Sequence, residues 1–305
     1  MSYAQEIEGL KGVYLVDTGQ FGLEGYGAAY ILASPMPAII ETGLSYSAER
    51  ILQGLEELGI SPGDVGYLMV THVHLDHAGG AGPLSGSCPN ATIVVHKRGA
   101  RHLVKPAYLV RSVREATGPM FPHYGEAIPI PATRFLQVEG GELFSLGGGF
   151  QIKTIATPGH APHHLCFYEH KTKALFAGDA AGIYWPKAER LLPTTPPPSF
   201  DLEWSLSSLA LLQGIGAKTL LYTHFGPHNE PAKMLREYAE LLQAWVGEIK
   251  DLKMRLEEDG AVKRSLIERY GPMLESYYER ELVEHEIAMN AQGVLQYLGR
   301  RGGME

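Results

Sequence analysis

The stretch Thr71-His72-Val73-His74-Leu75-Asp76-His77 decides how this chain is read. Four potential metal ligands, His72, His74, Asp76 and His77, fall within six residues. They follow Gly66-Tyr67-Leu68-Met69-Val70, an apolar run of the kind expected in a buried strand. His72 and His74 are two apart, so on extended backbone both side chains point the same way. A turn after the strand lets Asp76 and His77 face a second point. Neutral imidazoles and carboxylates are the ligands that a zinc-type divalent ion prefers. Ala78-Gly79-Gly80 then suits a tight turn into a helix. The alternative, a polar loop with several surface histidines, fits poorly with such density at the end of an apolar strand.

Three further candidates lie downstream, each just past an apolar run. Ile155-Ala156-Thr157-Pro158-Gly159-His160 places His160 on a Pro-Gly turn. Leu175-Phe176-Ala177-Gly178-Asp179 places a carboxylate at a strand end, and Leu220-Leu221-Tyr222-Thr223-His224 places His224 likewise. Singly, each could be a cap or a satisfied core group. Together they repeat one arrangement, ligands on loops at strand ends, where sites are commonly built.

Around these runs the periodicity alternates between strand and helix. Short β-rich runs are expected at Gly12–Val16, Ala28–Leu32 and Pro37–Glu41, bounded by Gly and Pro. A helix is expected over Ser47–Leu58, with Ile51, Leu52, Leu55 and Leu58 at helical spacing. Further strands are expected at Ala91–His96, Gln151–Thr157, His164–Glu169, Ala174–Ala177 and Thr219–Tyr222, and a helix at Leu202–Gln213. Residues 99–131 read as broken helical pieces, either a cover over the site or a plain surface excursion. The Pro-rich stretch Trp185–Phe200 reads as a rigid loop. After Pro231 an apolar stripe from Leu235 to Leu256 predicts a long helix, and another is expected near Leu274–Leu298. The expected organisation is an α/β sandwich over residues 1–230 and a helical extension over 231–305. The extension reads as a packed appendage, and its apolar stripe could also serve a second copy of the chain.

Composition narrows the function classes. The chain has 305 residues, 45% of them hydrophobic and 20% charged, and a formal net charge of −8. That is ordinary for a globular protein large enough to bury a core without staples. An acidic chain is a poor match for non-specific nucleic-acid binding, which requires neutralised phosphates. Two cysteines, Cys88 and Cys166, are too few for a disulfide framework and are expected to pack as small hydrophobes. No signal peptide and no membrane-length apolar run is visible, so a cytoplasmic location and a small-molecule substrate are the expectations.

The full pattern, His-x-His-x-Asp-His, then Pro-Gly-His, then Gly-Asp, then a late His, resembles the metallo-β-lactamase superfamily over roughly residues 8–228. The resemblance implies a four-layer αββα sandwich with metals at one edge. It implies that His72, His74 and His160 hold a first divalent ion, that Asp76, His77 and His224 hold a second, and that Asp179 bridges the two. Zinc is the first expectation, with iron or manganese as alternatives. The antibiotic-cleaving branch has Cys where Asp179 stands, and the flavin-dependent diiron branch has Glu where His74 stands. The implied activity is therefore that of the dinuclear hydrolases, with a metal-bridging hydroxide as nucleophile and Asp76 and Asp179 as catalytic carboxylates. No Gly-x-Ser-x-Gly elbow offers a serine alternative.

The segment His160-Ala161-Pro162-His163-His164 is similar to that of glyoxalase II and the lactone hydrolases, which favours an ester, lactone or thioester. A phosphodiester and a mononuclear-iron persulfide dioxygenase reaction are the alternatives, and a non-catalytic metal-binding role comes last. His163 stands where those branches have Gly. It could add a donor near the site or alter the turn, and the turn is the preferred reading. Glu41-Thr42-Gly43 replaces the usual Asp-x-Gly, so Glu41 could support a ligand histidine only with a shift of the backbone. Tyr184, Trp185, His123, Tyr124 and His228 are candidate substrate contacts, each with ordinary packing as the alternative.

Overall fold

In the computed structural model, which describes residues 2–302, the chain forms two facing β-sheets with helices on their outer sides. The first sheet takes seven strands in chain order: β1 (Ala4–Glu6), β2 (Val13–Asp17), β3 (Ala28–Leu32), β4 (Ala38–Ile40), β5 (Tyr67–Met69), β6 (Thr92–His96) and β7 (Phe135–Val138). The first four are antiparallel neighbours, whereas β4 to β7 run parallel. Parallel neighbours need crossover helices. These are α1 (Ser47–Glu57), the short α2 (Leu75–Ala78), α3 (Ala81–Ser87), α4 (Lys97–Val104) and α5 (Ala107–Thr117).

The second sheet begins with β8 (Leu143–Gly147), β9 (Phe150–Ala156), β10 (Leu165–Glu169) and β11 (Ala174–Gly178). A separate hairpin follows, β12 (Ile183–Trp185) with β13 (Arg190–Leu192). After α6 (Leu202–Gln213), β14 (Thr219–Tyr222) pairs parallel to β11, and β15 (Gly226–His228) closes the edge. The chain ends in α7 (Pro231–Leu256), α8 (Asp259–Leu274) and α9 (Arg280–Gly302).

Two apolar layers hold this together. Between the sheets, Val13, Leu15, Tyr30 and Ile40 meet Phe144, Ile152, Phe167 and Phe176. Outside them, Val16, Ile31 and Leu68 pack with Ile51 and Leu55 of α1, while Leu175 and Leu220 share a layer with Leu209, Leu212 and Tyr238. Consecutive strand residues such as Leu15 and Val16 thus serve opposite layers, as the two-residue period requires. The result is the expected αββα order.

The parallel pairings also place the site. β9, β11 and β14 run in one direction, since β10 is antiparallel to both β9 and β11. Their C-terminal ends therefore share one edge of the second sheet. Two backbone hydrogen bonds tie that edge to the first sheet. The Leu165 amide donates to Thr71 O at 2.8 Å and the Ala28 amide to Thr223 O at 2.8 Å.

Several sequence expectations need correction. Trp185–Phe200 is not all loop, because its start pairs as β12–β13 across the turn 186–189. The last expected helix begins at Arg280 rather than near Leu274, which instead ends α8. Leu274 and Tyr278 are both buried, so the apolar pattern runs straight across the break and hides it. Residues 99–131 do cover the site edge, through α4, α5 and the 3-10 turn Gly118–Tyr124. Cys88 and Cys166 are buried free thiols, as expected. Among the described residues no helix is long and apolar enough to cross a membrane.

Candidate metal centre

All seven ligand candidates converge at the shared edge of the sheets. Three groups of ligand atoms lie within 4.8 Å of one another: His72, His74 and His160; Asp76, His77 and His224; and His72, His77 and Asp179. The third group takes one histidine from each of the other two. The loop after β5 supplies His72 and His74, α2 supplies Asp76 and His77, and the segments after β9, β11 and β14 supply His160, Asp179 and His224.

The nitrogens aim at common points. His72 Nε2 lies 2.9 Å from His74 Nδ1, His160 Nε2 lies 3.1 Å from His72 Nε2, and His160 Nε2 lies 3.0 Å from His74 Nδ1. Three ring nitrogens cannot satisfy one another as a mutual triangle of donors and acceptors. Ligands of a tetrahedral zinc at about 2.0–2.1 Å stand about 3.4 Å apart, close to this spacing. Asp179 turns its two oxygens to the two sides. Oδ1 is 3.2 Å from His77 Nε2 and 3.8 Å from His224 Nε2, and Oδ2 is 3.5 Å from His160 Nε2. Oδ1 is buried with no hydrogen-bond partner among the described residues. A buried carboxylate with one oxygen toward each histidine group, and one of the two without a partner among the described residues, is a donor set that fits a pair of divalent ions.

A surrounding layer fixes four of the five rings. Glu41 Oε1 lies 2.9 Å from His77 Nδ1 and accepts from Thr71 Oγ1 at 2.5 Å and Thr223 Oγ1 at 3.0 Å. Thr71 Oγ1 in turn lies 3.0 Å from His72 Nδ1. His224 Nδ1 faces Tyr26 O at 3.0 Å, and His160 Nδ1 faces Thr194 Oγ1 at 3.1 Å. Thr194 Oγ1 also donates to Asp179 Oδ2 at 3.0 Å. Partners of this kind set the tautomer and aim the other nitrogen at the metal. Glu41 achieves this with a positive φ of 66°, a left-handed backbone rare for a non-glycine residue. Glu41 thus reaches His77 Nδ1 in spite of the extra methylene.

The electrostatics suit the same reading. Burial and the imidazoles of His77, His74 and His160 hold His72 well below its ordinary value, and burial beside His160 brings His74 down to about 3. Both are therefore neutral, the form that binds metal. Burial pushes the Asp179 carboxyl up, but His77, His160 and His224 outweigh it and hold it well below the usual range. Around His77 the carboxylates of Asp179, Glu41 and Asp76 outweigh burial and lift its value. That is a concentration of negative charge suited to a cation.

Other expected residues divide. His164 is not a ligand candidate: its Nδ1 lies 2.8 Å from Thr157 Oγ1 and its Nε2 accepts from the Asp179 amide at 3.1 Å, so it seats Asp179. His163 does more than shape the turn. Its ring stacks on His72 at 6.2 Å and lines the cavity above the cluster. Of the five candidate substrate contacts only Tyr124 lines that cavity. Trp185 is buried against Tyr278 at 4.0 Å, His123 is exposed, and Tyr184 stacks with Tyr222 and meets His228 edge-on. Sequence reasoning missed Tyr26, Thr194 and Glu286. Tyr26 donates its hydroxyl to Glu286 Oε1 at 3.0 Å, and Glu286 and Met289 of α9 complete the cavity wall. Of the C-terminal helices, α9 thus reaches the site and lends two residues to its lining. Lys97-Arg98, directly after a strand, carried a signal that could have been used. Glu286 carried none.

Two sheets back to back, helices outside, and a histidine–carboxylate cluster at their common edge define the class. The chain belongs to the metallo-beta-lactamase superfamily, whose family model matches residues 6–224. It is 27% identical over 221 residues to a metallo-beta-lactamase fold-containing protein of Sulfurisphaera tokodaii, covering 71% of this chain and 79% of that protein. It is also 27% identical over 244 residues to an N-acyl homoserine lactonase of Bacillus thuringiensis, covering 77% of this chain and 84% of the lactonase. Among solved structures, an archaeal superfamily protein of Sulfolobus tokodaii superposes with a TM-score of 0.69 at 23% identity, covering 93% of this chain and 98% of the other. A family protein of Thermus thermophilus gives a TM-score of 0.68 at 22% identity, covering 96% and 95%.

Proposed function

We propose that this protein is a dinuclear metal-dependent hydrolase of a carboxylic ester, lactone or thioester. The observation that carries the reading is Asp179, which turns Oδ1, without a hydrogen-bond partner among the described residues, toward His77 and His224 and Oδ2, held by Thr194, toward His160. His72, His74 and His160 would hold one ion, Asp76, His77 and His224 the other, with Asp179 between them. Two such ions supply an acidified water and a Lewis acid for the substrate carbonyl. The kinship with an N-acyl homoserine lactonase supports an acyl substrate over a phosphodiester.

The chain's own groups do the rest. Glu41, Thr71, Thr194 and Tyr26 O hold four of the rings in register, so little reorganisation accompanies the reaction. The Asp76 side chain is 19% exposed and is set in the cavity wall. It is placed to take the proton lost by the attacking water and return it to the leaving oxygen or sulfur. The acyl C–O or C–S bond breaks, water supplies the new hydroxyl, and no redox partner is consumed. Tyr124 and His163 close the cavity around the acyl group.

The test is a metal count and a substrate panel. About two divalent ions per chain are expected, with turnover of a p-nitrophenyl ester, a lactone or a thioester exceeding that of bis-p-nitrophenyl phosphate. One iron per chain with sulfite formed from glutathione persulfide would overturn the reading.

A further inference from the structure

The cavity above the cluster has a volume of about 620 Å³ and two unlike halves. The cluster forms one wall. Another part of the lining comes from α4 and α5, and its α4 end is basic. Between Lys97 and Thr117 stand six Lys/Arg residues against the single acid Glu115, in a chain whose net charge is −8. Lys97, Arg98 and Arg101 line the cavity. Lys97 is paired with Glu139 at 2.5 Å, but neither Arg98 nor Arg101 forms a salt bridge among the described residues. Arg101 spends only its Nε, on His102 at 3.3 Å. Two guanidinium groups one helical turn apart repel each other, and that repulsion is relieved by an anion. Their planar forks match a carboxylate or phosphate. Next to them the wall turns apolar, through Leu109, Val113 and Tyr108, whose ring is 56% exposed at the mouth.

We infer that the substrate is an amphiphilic anion, an ester or thioester bearing a carboxylate or phosphate that Arg98 and Arg101 hold while its apolar part lies on Leu109 and Val113. This inference rests on the hydrolase reading for its scissile bond, but the anion site is a separate claim. In this arrangement the basic wall selects and the cluster cleaves.

The experiment uses matched pairs on the metal-loaded protein. p-Nitrophenyl acetate is compared with p-nitrophenyl hemisuccinate, and S-butyryl-N-acetylcysteamine with butyryl-coenzyme A, so that the charge lies on the acyl side or the leaving side. The anionic member of at least one pair is expected to have a kcat/KM about tenfold or more higher, chiefly through KM. That preference should shrink as salt rises from about 0.01 M to about 1 M, where the Debye length falls from about 30 Å to about 3 Å. It should vanish in R98E/R101E, where the anionic partner loses kcat/KM by a larger factor than the neutral one, and persist in the control R111E. Calorimetry with S-butyl-coenzyme A and N-butyl succinamate reads the anion site without turnover. Binding lost in R98E/R101E, with no substrate hydrolysed, would sink the hydrolase reading and leave this one standing. Equal kcat/KM within both pairs, or no binding of either analogue, overturns the inference.

Discussion

Glu41 Oε1 lies 2.9 Å from His77 Nδ1, which leaves His77 Nε2 as the nitrogen that faces Asp76 and Asp179. The same carboxylate receives the hydroxyls of Thr71 and Thr223, the residues immediately before His72 and His224. One side chain therefore disciplines ligands from both sheets. Glu41→Gln keeps the volume but removes the charge, and Gln can accept from only part of this donor set. Metal affinity is expected to fall about 10- to 100-fold. Chelator competition measures it, and an unchanged affinity would mean that the geometry around Glu41 has no bearing on the ions.

Asp179→Ala removes the carboxylate between the two histidine groups. Metal content is expected to drop from about two ions toward one, and kcat/KM by a factor of about 100 to 1,000, since each ion contributes several kcal/mol of charge stabilisation. Elemental analysis alongside steady-state kinetics checks both. Full activity on every substrate would contradict the proposed mechanism.

Gly178 precedes Asp179 with a φ of 50°, and a Cβ there would stand 2.6 Å from His164 Nε2 and 2.7 Å from Thr71 Oγ1. Both neighbours are buried and already bonded, so neither can yield cheaply. Gly178→Ala should cost about 1–3 kcal/mol, read as a Tm lowered by roughly 2–5 °C. It should also loosen the Asp179 seat, since the Asp179 amide donates to the same His164 nitrogen. A calorimetric scan of the metal-loaded variant gives the first number and its metal content the second.

His285 on α9 supplies a pH dependence away from the cluster. Burial brings it down to about 4, and its Nε2 has no partner among the described residues. The unfolded chain binds this proton below about 6.5 while the folded chain resists it until about 4, so stability rises with pH across that window. The group contributes its full share above about 6.5, and folding weakens by about 1–3 kcal/mol as pH falls to 4. His285→Gln should flatten the Tm difference between pH 7 and pH 5 relative to the parent protein. Acid release of metal affects both proteins alike and cancels in the comparison. If the two Tm–pH curves are parallel, the site is better hydrated than its burial implies.

The cluster was legible because its information is local. His72 to His77 are crowded into one strand end, and His160, Asp179 and His224 each follow an apolar run whose direction the sheet then aligns. What was hidden depends on contacts between distant segments. Glu41 supports His77 through a left-handed φ that no propensity encodes. The β12–β13 hairpin was masked by the prolines that follow it. Thr194 reaches Asp179 from that same Pro-rich stretch. Glu286 arrives at the cavity through the packing of α9, which brings it to Tyr26 from 260 residues away, an outcome that local pattern cannot announce.

That last contact also bears on how such proteins could be re-engineered. The family model ends at His224, yet the Glu286–Tyr26 hydrogen bond reaches the residue whose carbonyl faces that same histidine. The tail is thereby wired to the chemistry it encloses. Grafting a different C-terminal helix onto residues 2–230 would exchange part of the cavity lining and retune the support of His224 in one cut. Swapping tails is then a route to new substrate scope, and a hazard for anyone trimming the chain for crystallisation.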